Sequence, residues 1–208
     1  MHAALATRIE PLGLLSYAEA SGRMRAFTQS RDAETADELW VLEHLPVYTL
    51  GQGADPKFGP KRANGIPLLQ SERGGEITYH GPGQAVVYTL VDLQRRGIRV
   101  KDFVRLLEGC VIDLLGGYEV EAVRKPGAPG VYVNGAKIAA LGIRVTRGRA
   151  WHGVALNVDM DLSPFHAIDP CGFPGLAVTQ TRDHGIPGGA LEHGLALARR
   201  IDQALEHA

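Results

Sequence analysis

Between residues 118 and 158 the chain reads as four strand-like pieces, YEVEAVR, GVYV, AKIAALGIRV and WHGVALNV, separated by short turns. Asn134-Gly135 stands between the second and third. An Asn-Gly pair between apolar runs is the strongest short-range hairpin signal, because both central residues of a type I′ turn need positive φ. Consecutive hairpins argue against a doubly wound parallel sheet, where every strand needs a helical crossover to reach the next.

The remaining pattern agrees. Leu39 to Leu50 (LWVLEHLPVYTL) reads as strand, with Pro46 marking an edge or a break. A short run IPLL, a short strand near Ile77 and a long buried strand in QAVVYTLVDL follow. Helices are expected at three places. Ser16-Tyr17-Ala18-Glu19 is a capping-box pattern ahead of Tyr17, Ala20, Met24 and Phe27 on one face. In VKDFVRLLEGCVIDLL, Phe103, Leu107, Cys110, Val111 and Leu114 share a face, and Leu191, Leu195, Ala198 and Leu205 are helically spaced near the end. Residues 158–188 are loop-rich. The expected fold class is α+β, with a mixed or largely antiparallel sheet and helices segregated from it. No linker or internal repeat divides the chain, so residues 1–208 are read as one domain.

A formal net charge of −1 provides no basic field to draw the chain onto nucleic acid or an anionic membrane. No apolar stretch approaches the length of a membrane span and the first residues lack a signal-peptide block, so a cytoplasmic location is the default expectation. No phosphate-binding glycine fingerprint follows a strand and opens a helix. The eight histidines show no ligand spacing, and no metal site is expected.

Three features carry chemistry. Counted along a strand, Lys137 shares a face with Ala139, Leu141, Ile143 and Val145, opposite Ile138, Ala140, Gly142 and Arg144. A lysine just past a hairpin turn ordinarily snorkels into water; on an apolar face it is otherwise a paired or deprotonated group. Cys110, on its helix face, reads as a small core residue, whereas Cys171 in IDPCGFPG is bracketed by Pro170, Gly172, Pro174 and Gly175. A free thiol is only about 3% thiolate at neutral pH, and a neighbouring ammonium raises that fraction by lowering its pKa. A lone loop cysteine is otherwise incidental. The third feature is Arg73-Gly74-Gly75-Glu76-Ile77-Thr78-Tyr79-His80-Gly81-Pro82-Gly83. Its turns either hold an anion on exposed N–H groups, with Arg73 paired to a phosphate and His80 handling protons, or simply flank a short strand. His152 is either a satisfied core histidine or a pocket wall.

Together, RGGEITYHGPGQAVVY, PGVYVNGAKIAALGIRV and HGVALNVDMDLSPFHAIDPCGFPGLAVTQ closely resemble the octanoyltransferases of protein lipoylation, over roughly residues 45–180. The resemblance implies the fold of biotin and lipoate protein ligase catalytic domains, mixed sheets with helices outside. It implies that Cys171, in the position of the family's NPCG cysteine, is the acyl-thioester nucleophile and that Lys137 lowers its pKa. It further implies that the acyl chain lies against Arg73 to His80, against Ala140-Leu141-Gly142 and against Gly153-Val154-Ala155. The implied donor is octanoyl-acyl carrier protein. The implied acceptors are lipoyl domains of 2-oxoacid dehydrogenase complexes and the glycine cleavage H protein. No cofactor is implied, because a thioester donor is already activated. Small residues Gly74, Gly75, Ala139, Ala140 and Gly142 are expected to leave a groove for the chain. Asp169 stands where the family more often has Asn, Trp151 where Phe or Tyr is frequent, and Asn134 where Asp is usual. Asp169 adds a negative charge that opposes thiolate formation unless it points away. The rival expectations are an ATP-dependent lipoate or biotin ligase, which needs no thiol, and a non-catalytic acyl-carrier-binding module, which has no use for Cys171 or Lys137.

Overall fold

The computed structural model describes residues 6–55, 57, 59–60, 64–168 and 176–208. Among the described residues, ten strands and four α-helices alternate in groups: β1 (Arg8–Leu15), α1 (Tyr17–Ser30), β2 (Glu38–His44), β3 (Val47–Leu50), β4 (Leu68–Gln70), β5 (Ile77–His80) and β6 (Gln84–Leu90) come first. After them run α2 (Leu93–Arg96), α3 (Val100–Gly116), β7 (Val123–Lys125), β8 (Ala128–Val133), β9 (Ala136–Thr146), β10 (Arg149–Asn157) and α4 (Ala190–Glu206).

Seven strands form the main sheet in the order β1-β2-β6-β10-β9-β8-β7, and β4-β3-β5 form a small one. Of these strands β1–β2 and β3–β4 pair in parallel; the hairpin-linked strands are antiparallel, as the Asn-Gly turn required. The expected α+β class with a mixed sheet is what the chain adopts. Pro46 falls between β2 and β3 and sends the single expected strand into two different sheets. Ser16 caps α1, its Oγ accepting from the Glu19 N–H at 3.2 Å.

One face of the main sheet carries α3 and α4. Val41, Val87, Val131, Val133, Ile138 and Ala139 pack there against Phe103, Leu107, Val111, Leu197 and Ile201. Cys110 lies in that core, and burial pushes its thiol up to about 11. On the opposite face α1 buries Ala20 and Met24 in a cluster with Trp40, Leu42, Val86 and Tyr88 that reaches Trp151 and Ala155 of β10. The face of β9 and β10 beyond α1 is left for the small sheet and its loops. Beside α1, the carboxylate of Asp37 accepts from Arg31 (2.5 Å), Arg95 (2.6 Å) and Arg96 (2.7 Å), and from the Asp92 N–H (2.8 Å).

Two expectations need correction, and one strand was not expected. YEVEAVR is strand only in its last two residues, where the short edge strand β7 (Val123–Lys125) begins. The buried face of α4 is Ala190, His193, Gly194, Leu197, Ala198, Ile201 and Leu205, and Leu191 is half exposed, so the apolar stripe is rotated from the one expected. Strand β1, unforeseen in RIEPLGLL, pairs along the whole of β2 with a register shift between Pro11 and Gly13. Among the described residues, no helix is long and apolar enough to cross a membrane.

Candidate active site

A cleft of about 290 Å³ lies between the β9–β10 face and the glycine segment that leads into β5. Its floor is set by the register of the sheet. Ala140 pairs with Ala155, and Gly142 with Gly153, so small residues face one another across β9 and β10. All four line the cleft, together with Leu141 and Val154. The opposite wall is Arg73, Gly74, Gly75, Glu76, Ile77, Thr78 and His80. Tyr79 is not part of that wall. It packs against Tyr48 and Phe165 on the far side of the small sheet, as alternation along β5 requires.

Lys137 lines the cleft and is 5% exposed, so it does not snorkel into water. Strict alternation would turn it to the helix side with Ala139. The pairing of β8 with β9 slips there: Tyr132 faces Lys137 but Val131 faces Ala139, which leaves Ile138 as an extra residue. Ile138 and Ala139 both enter the helix-side core, and Lys137 turns to the same side as Ala140 and Gly142. Ala139 is therefore not part of the groove. The ammonium donates to the Pro129 carbonyl at 3.1 Å and lies 5.4 Å from the centre of the Tyr132 ring. Gly130 makes room for it: a Cβ there would stand 2.9 Å from Lys137 Cε. The Lys137 backbone is fixed from the other side, its N–H donating to Ala177 O (2.8 Å) and its C=O accepting from Thr179 (3.0 Å). Those residues follow the IDPCGFPG segment in the chain. Cys171 and Asp169 lie outside the described residues.

From Thr179 a line of buried amides crosses the sheet. Asn157 Nδ2 donates to Thr179 O (2.9 Å), Gln84 Nε2 donates to Asn157 Oδ1 (2.9 Å), and His80 Nδ1 donates to Gln84 Oε1 (2.7 Å). Burial, followed by the neighbouring His44 and Arg73, holds the His80 imidazole well below its usual range. It is neutral at pH 7, with Nδ1 carrying the proton. Gln84 and Asn157, which link His80 to Thr179, went unnoticed in the sequence because each stands at the end of a strand, where a polar residue is ordinary.

Arg73 does not present its guanidinium to a phosphate. Nε and Nη2 donate to Thr49 Oγ1 (3.1 and 2.9 Å), Nη2 to Thr49 O (2.6 Å), and Nη1 to Gly74 O (3.0 Å). The Gly74 N–H is likewise taken, by Ile143 O at 3.0 Å, so it is not an open anion donor. These bonds clamp the glycine segment onto β3 and β9. The cleft's other end is lined by Tyr17, Tyr88 and His152. The Tyr17 hydroxyl bonds Ser71 Oγ at 2.5 Å, and the Tyr88 hydroxyl bonds His44 Nε2 at 2.6 Å. His152 is a pocket wall, and not a satisfied one: both ring nitrogens are buried without a partner among the described residues. Among the described residues no group of His, Cys, Asp and Glu is gathered to hold a metal ion.

The Lipoyl protein ligase A/B catalytic domain model matches residues 16–187. The chain is 54% identical over 196 residues to an octanoyltransferase from Aromatoleum aromaticum, covering 93% of this chain and 84% of that one. It is 53% identical over 198 residues to an octanoyltransferase from Dechloromonas aromatica, covering 95% and 96%. Solved structures at low identity share the fold. A bipartite lipoate protein ligase from Thermoplasma acidophilum superposes with a TM-score of 0.77 at 18% identity, over 97% of this chain and 84% of that one. Biotin protein ligase from Aquifex aeolicus gives a TM-score of 0.58 at 12% identity, over 97% and 70%. The chain belongs to the octanoyltransferases, acyltransferases built on the lipoyl protein ligase A/B catalytic domain.

Proposed function

We propose that this enzyme, as one catalytic domain, moves an octanoyl group from octanoyl-acyl carrier protein to a lysine of a lipoyl domain, through a thioester on Cys171. The observation that carries the reading is Lys137: a buried ammonium at one end of a trough floored by Ala140, Ala155, Gly142 and Gly153. Such a trough admits an unbranched chain, and a buried cation beside it favours a thiolate. The thiolate attacks the donor carbonyl, a new C–S bond forms, and the carrier sulfur leaves as a thiolate with the electron pair of the broken C–S bond and takes up the proton that Lys137 yields. The acceptor amine then attacks the enzyme thioester, loses a proton, and releases the Cys171 thiolate.

An acceptor lysine with an ordinary pKa near 10.4 is about 3.4 units too basic at pH 7, a deprotonation cost of about 4.6 kcal/mol at 1.36 per unit. Lys137, once it has yielded its own proton, is the group placed to take the second one. The substrate-contacting residues in this reading are Arg73 to Thr78, His80, Ala140 to Gly142 and Gly153 to Ala155; Tyr79 supports the small sheet. The acceptors are lipoyl domains of 2-oxoacid dehydrogenase complexes and the glycine cleavage H protein. An archaeal ligase of the same fold is described together with its E2 lipoyl domain. The setting is the cytoplasm, where thiols stay reduced.

The second reading, ATP-dependent activation of a free acid, draws on lipoate-protein ligase A bound with ATP, a fold neighbour at a TM-score of 0.75. The inward-turned Arg73 and the occupied Gly74 N–H weigh against a phosphate site in the glycine segment. Mixed with octanoyl-acyl carrier protein and no acceptor or ATP, the enzyme should gain one octanoyl mass, removable by hydroxylamine and mapping to Cys171. An adduct on Cys110, a need for ATP, or turnover by Cys171→Ala would overturn the mechanism.

A further inference from the structure

The end of the cleft remote from Lys137 is polar, and its polarity is unused. His152 is 1% exposed, lines the cleft, and has no hydrogen-bond partner on either ring nitrogen among the described residues. Buried imidazole nitrogens are ordinarily bonded, because leaving them unpaired forfeits their hydration. The neighbouring polar groups do not supply the bonds. Tyr17 is engaged with Ser71, and Tyr88 with His44.

The backbone shows that the arrangement is built in. His152 has φ of +62°, a left-handed conformation in the middle of β10. Residues other than glycine are uncommon there, histidine being one of the few that tolerate it, and in mid-strand the surrounding structure must hold it. The consequence is a change of side. Ala150 and Val154 point to the helix-side core, so simple alternation would bury His152 among them. Instead the ring stacks on Trp151 (4.5 Å between centroids, 22° between planes) and stands edge-on to Tyr88 at 5.9 Å. A strand residue is thus turned, in a conformation foreign to a strand, to place two polar atoms without a partner among the described residues in the cleft.

Register locates it relative to the reaction. His152 pairs with Ile143, four residues beyond the Ala139–Leu156 pair next to Lys137. Four residues of strand span about 13 Å, of the order of an extended eight-carbon acyl chain. The ring is neutral at pH 7, since burial and then the nearby Arg73 hold it down to about 3. One nitrogen therefore donates and the other accepts. A methyl group satisfies neither. A hydroxyl satisfies both.

On the reading of this cleft as an acyl pocket, we infer that His152 forms a hydrogen-bonding subsite for the far end of the chain, taking medium-chain acyl thioesters that carry a terminal hydroxyl. Octanoyl occupies the same pocket with water on the imidazole, and a terminal hydroxyl replaces that water. The histidine is then a specificity determinant, remote from bond making.

The test measures acylation of Cys171 from three acyl-carrier-protein thioesters: octanoyl, 8-hydroxyoctanoyl and nonanoyl. The last two have the same number of heavy atoms and differ in polarity alone. The wild-type enzyme should acylate from 8-hydroxyoctanoyl at least as efficiently as from nonanoyl. His152→Leu should move the ratio of their kcat/KM values at least tenfold towards nonanoyl. His152→Asn, which tolerates left-handed backbone and keeps a donor and an acceptor, should retain most of the preference. If the leucine variant does not fold, His152→Gly accepts the backbone conformation without the ring and should move the ratio the same way. Faster acylation from nonanoyl by the wild type, or a ratio that neither variant moves, overturns the inference and leaves the acyl reading standing. No adduct from octanoyl itself overturns both.

Discussion

Replacing Ala140 with valine tests where the acyl chain runs. Ala140 lines the cleft directly opposite Ala155, and its Cβ is the only side-chain atom it places there. With the bulged Ile138 not advancing the strand, Ala140 lies two strand steps beyond Lys137, about 7 Å along β9. A four-carbon acyl group held at Lys137 ends near that level, whereas an eight-carbon chain must pass it. Valine adds two carbons, and β-branched residues suit a strand, so the fold should tolerate the change. Overfilling a packed space costs about 1–3 kcal/mol, which corresponds to roughly a 5- to 150-fold loss at 1.36 kcal/mol per factor of ten. That loss should fall on octanoyl acylation of Cys171, with butanoyl acylation changed less than threefold.

Gly142→Val supplies the contrast. A Cβ at Gly142 would lie 3.0 Å from Gly74 O and 3.2 Å from Arg73 Cδ, so a side chain there strikes the glycine segment itself. Displacing that wall should slow all chain lengths together and lower the melting temperature. The assay is intact-mass kinetics of acyl-enzyme formation from the two donors, on variants checked for cooperative unfolding. Equal losses for octanoyl and butanoyl in Ala140→Val would mean that the chain does not cross the Ala140–Ala155 pair, and the proposed groove would be wrong.

Asp37→Ala should destabilise the fold by about 3–5 kcal/mol, because it leaves the fully buried Arg31 guanidinium without its carboxylate; a urea-unfolding loss under 1 kcal/mol would refute this. Cys110, with its thiol pushed up to about 11 by burial, should be only about 0.1% thiolate at pH 8. Iodoacetamide should therefore leave it unmodified in the native enzyme and label it in urea, as peptide mapping will show. Burial lowers His44 to about 4 and His152 to about 3, against about 6.5 when unfolded. Protons then bind the unfolded chain preferentially below pH 6.5. The stability from keeping these rings neutral is complete above that pH and is lost as the pH falls towards 4 and 3, at about 1.4 kcal/mol per unit for each group. Urea midpoints between pH 7.5 and 4.5 should show this slope, shallower in His152→Asn; an unchanged slope in the variant would refute the assignment.

Much of this fold is legible in local chemistry. The Asn134-Gly135 turn, the Ser16 cap and the apolar face of α3 are decided within a few residues, and each appears where the sequence puts it. What escapes is decided over long range. Strand β1 contains Pro11 and Gly13 and is a strand because the edge of β2 is available to it. The α4 stripe is set by the close approach of Gly194 to Val41, where a Cβ would come within 2.5 Å of Val41 Cγ1. Leu191, apolar and correctly spaced, is left half exposed as a result.

The same limit applies more sharply at the site. Alternation assigns Lys137 to the face of Ala139 and His152 to the face of Ala150 and Val154, and both assignments fail for one reason. Period-two reasoning assumes that every residue advances the strand by one step in an extended conformation. At Ile138 the strand gains a residue without advancing, and at His152 one residue leaves the extended region. Each event reverses a side chain and leaves the apolar positions around it in place, so composition and spacing read the same with or without it. The departures also have a common result. A strand that alternates strictly places helix-side residues in the core and offers the cleft only what lies between them. Breaking the alternation at Ile138 brings an ammonium to one end of the trough, and breaking it at His152 brings an unpaired imidazole to the other. Between them Ala140, Ala155, Gly142 and Gly153 keep the regular register that a straight, unbranched chain requires of its floor.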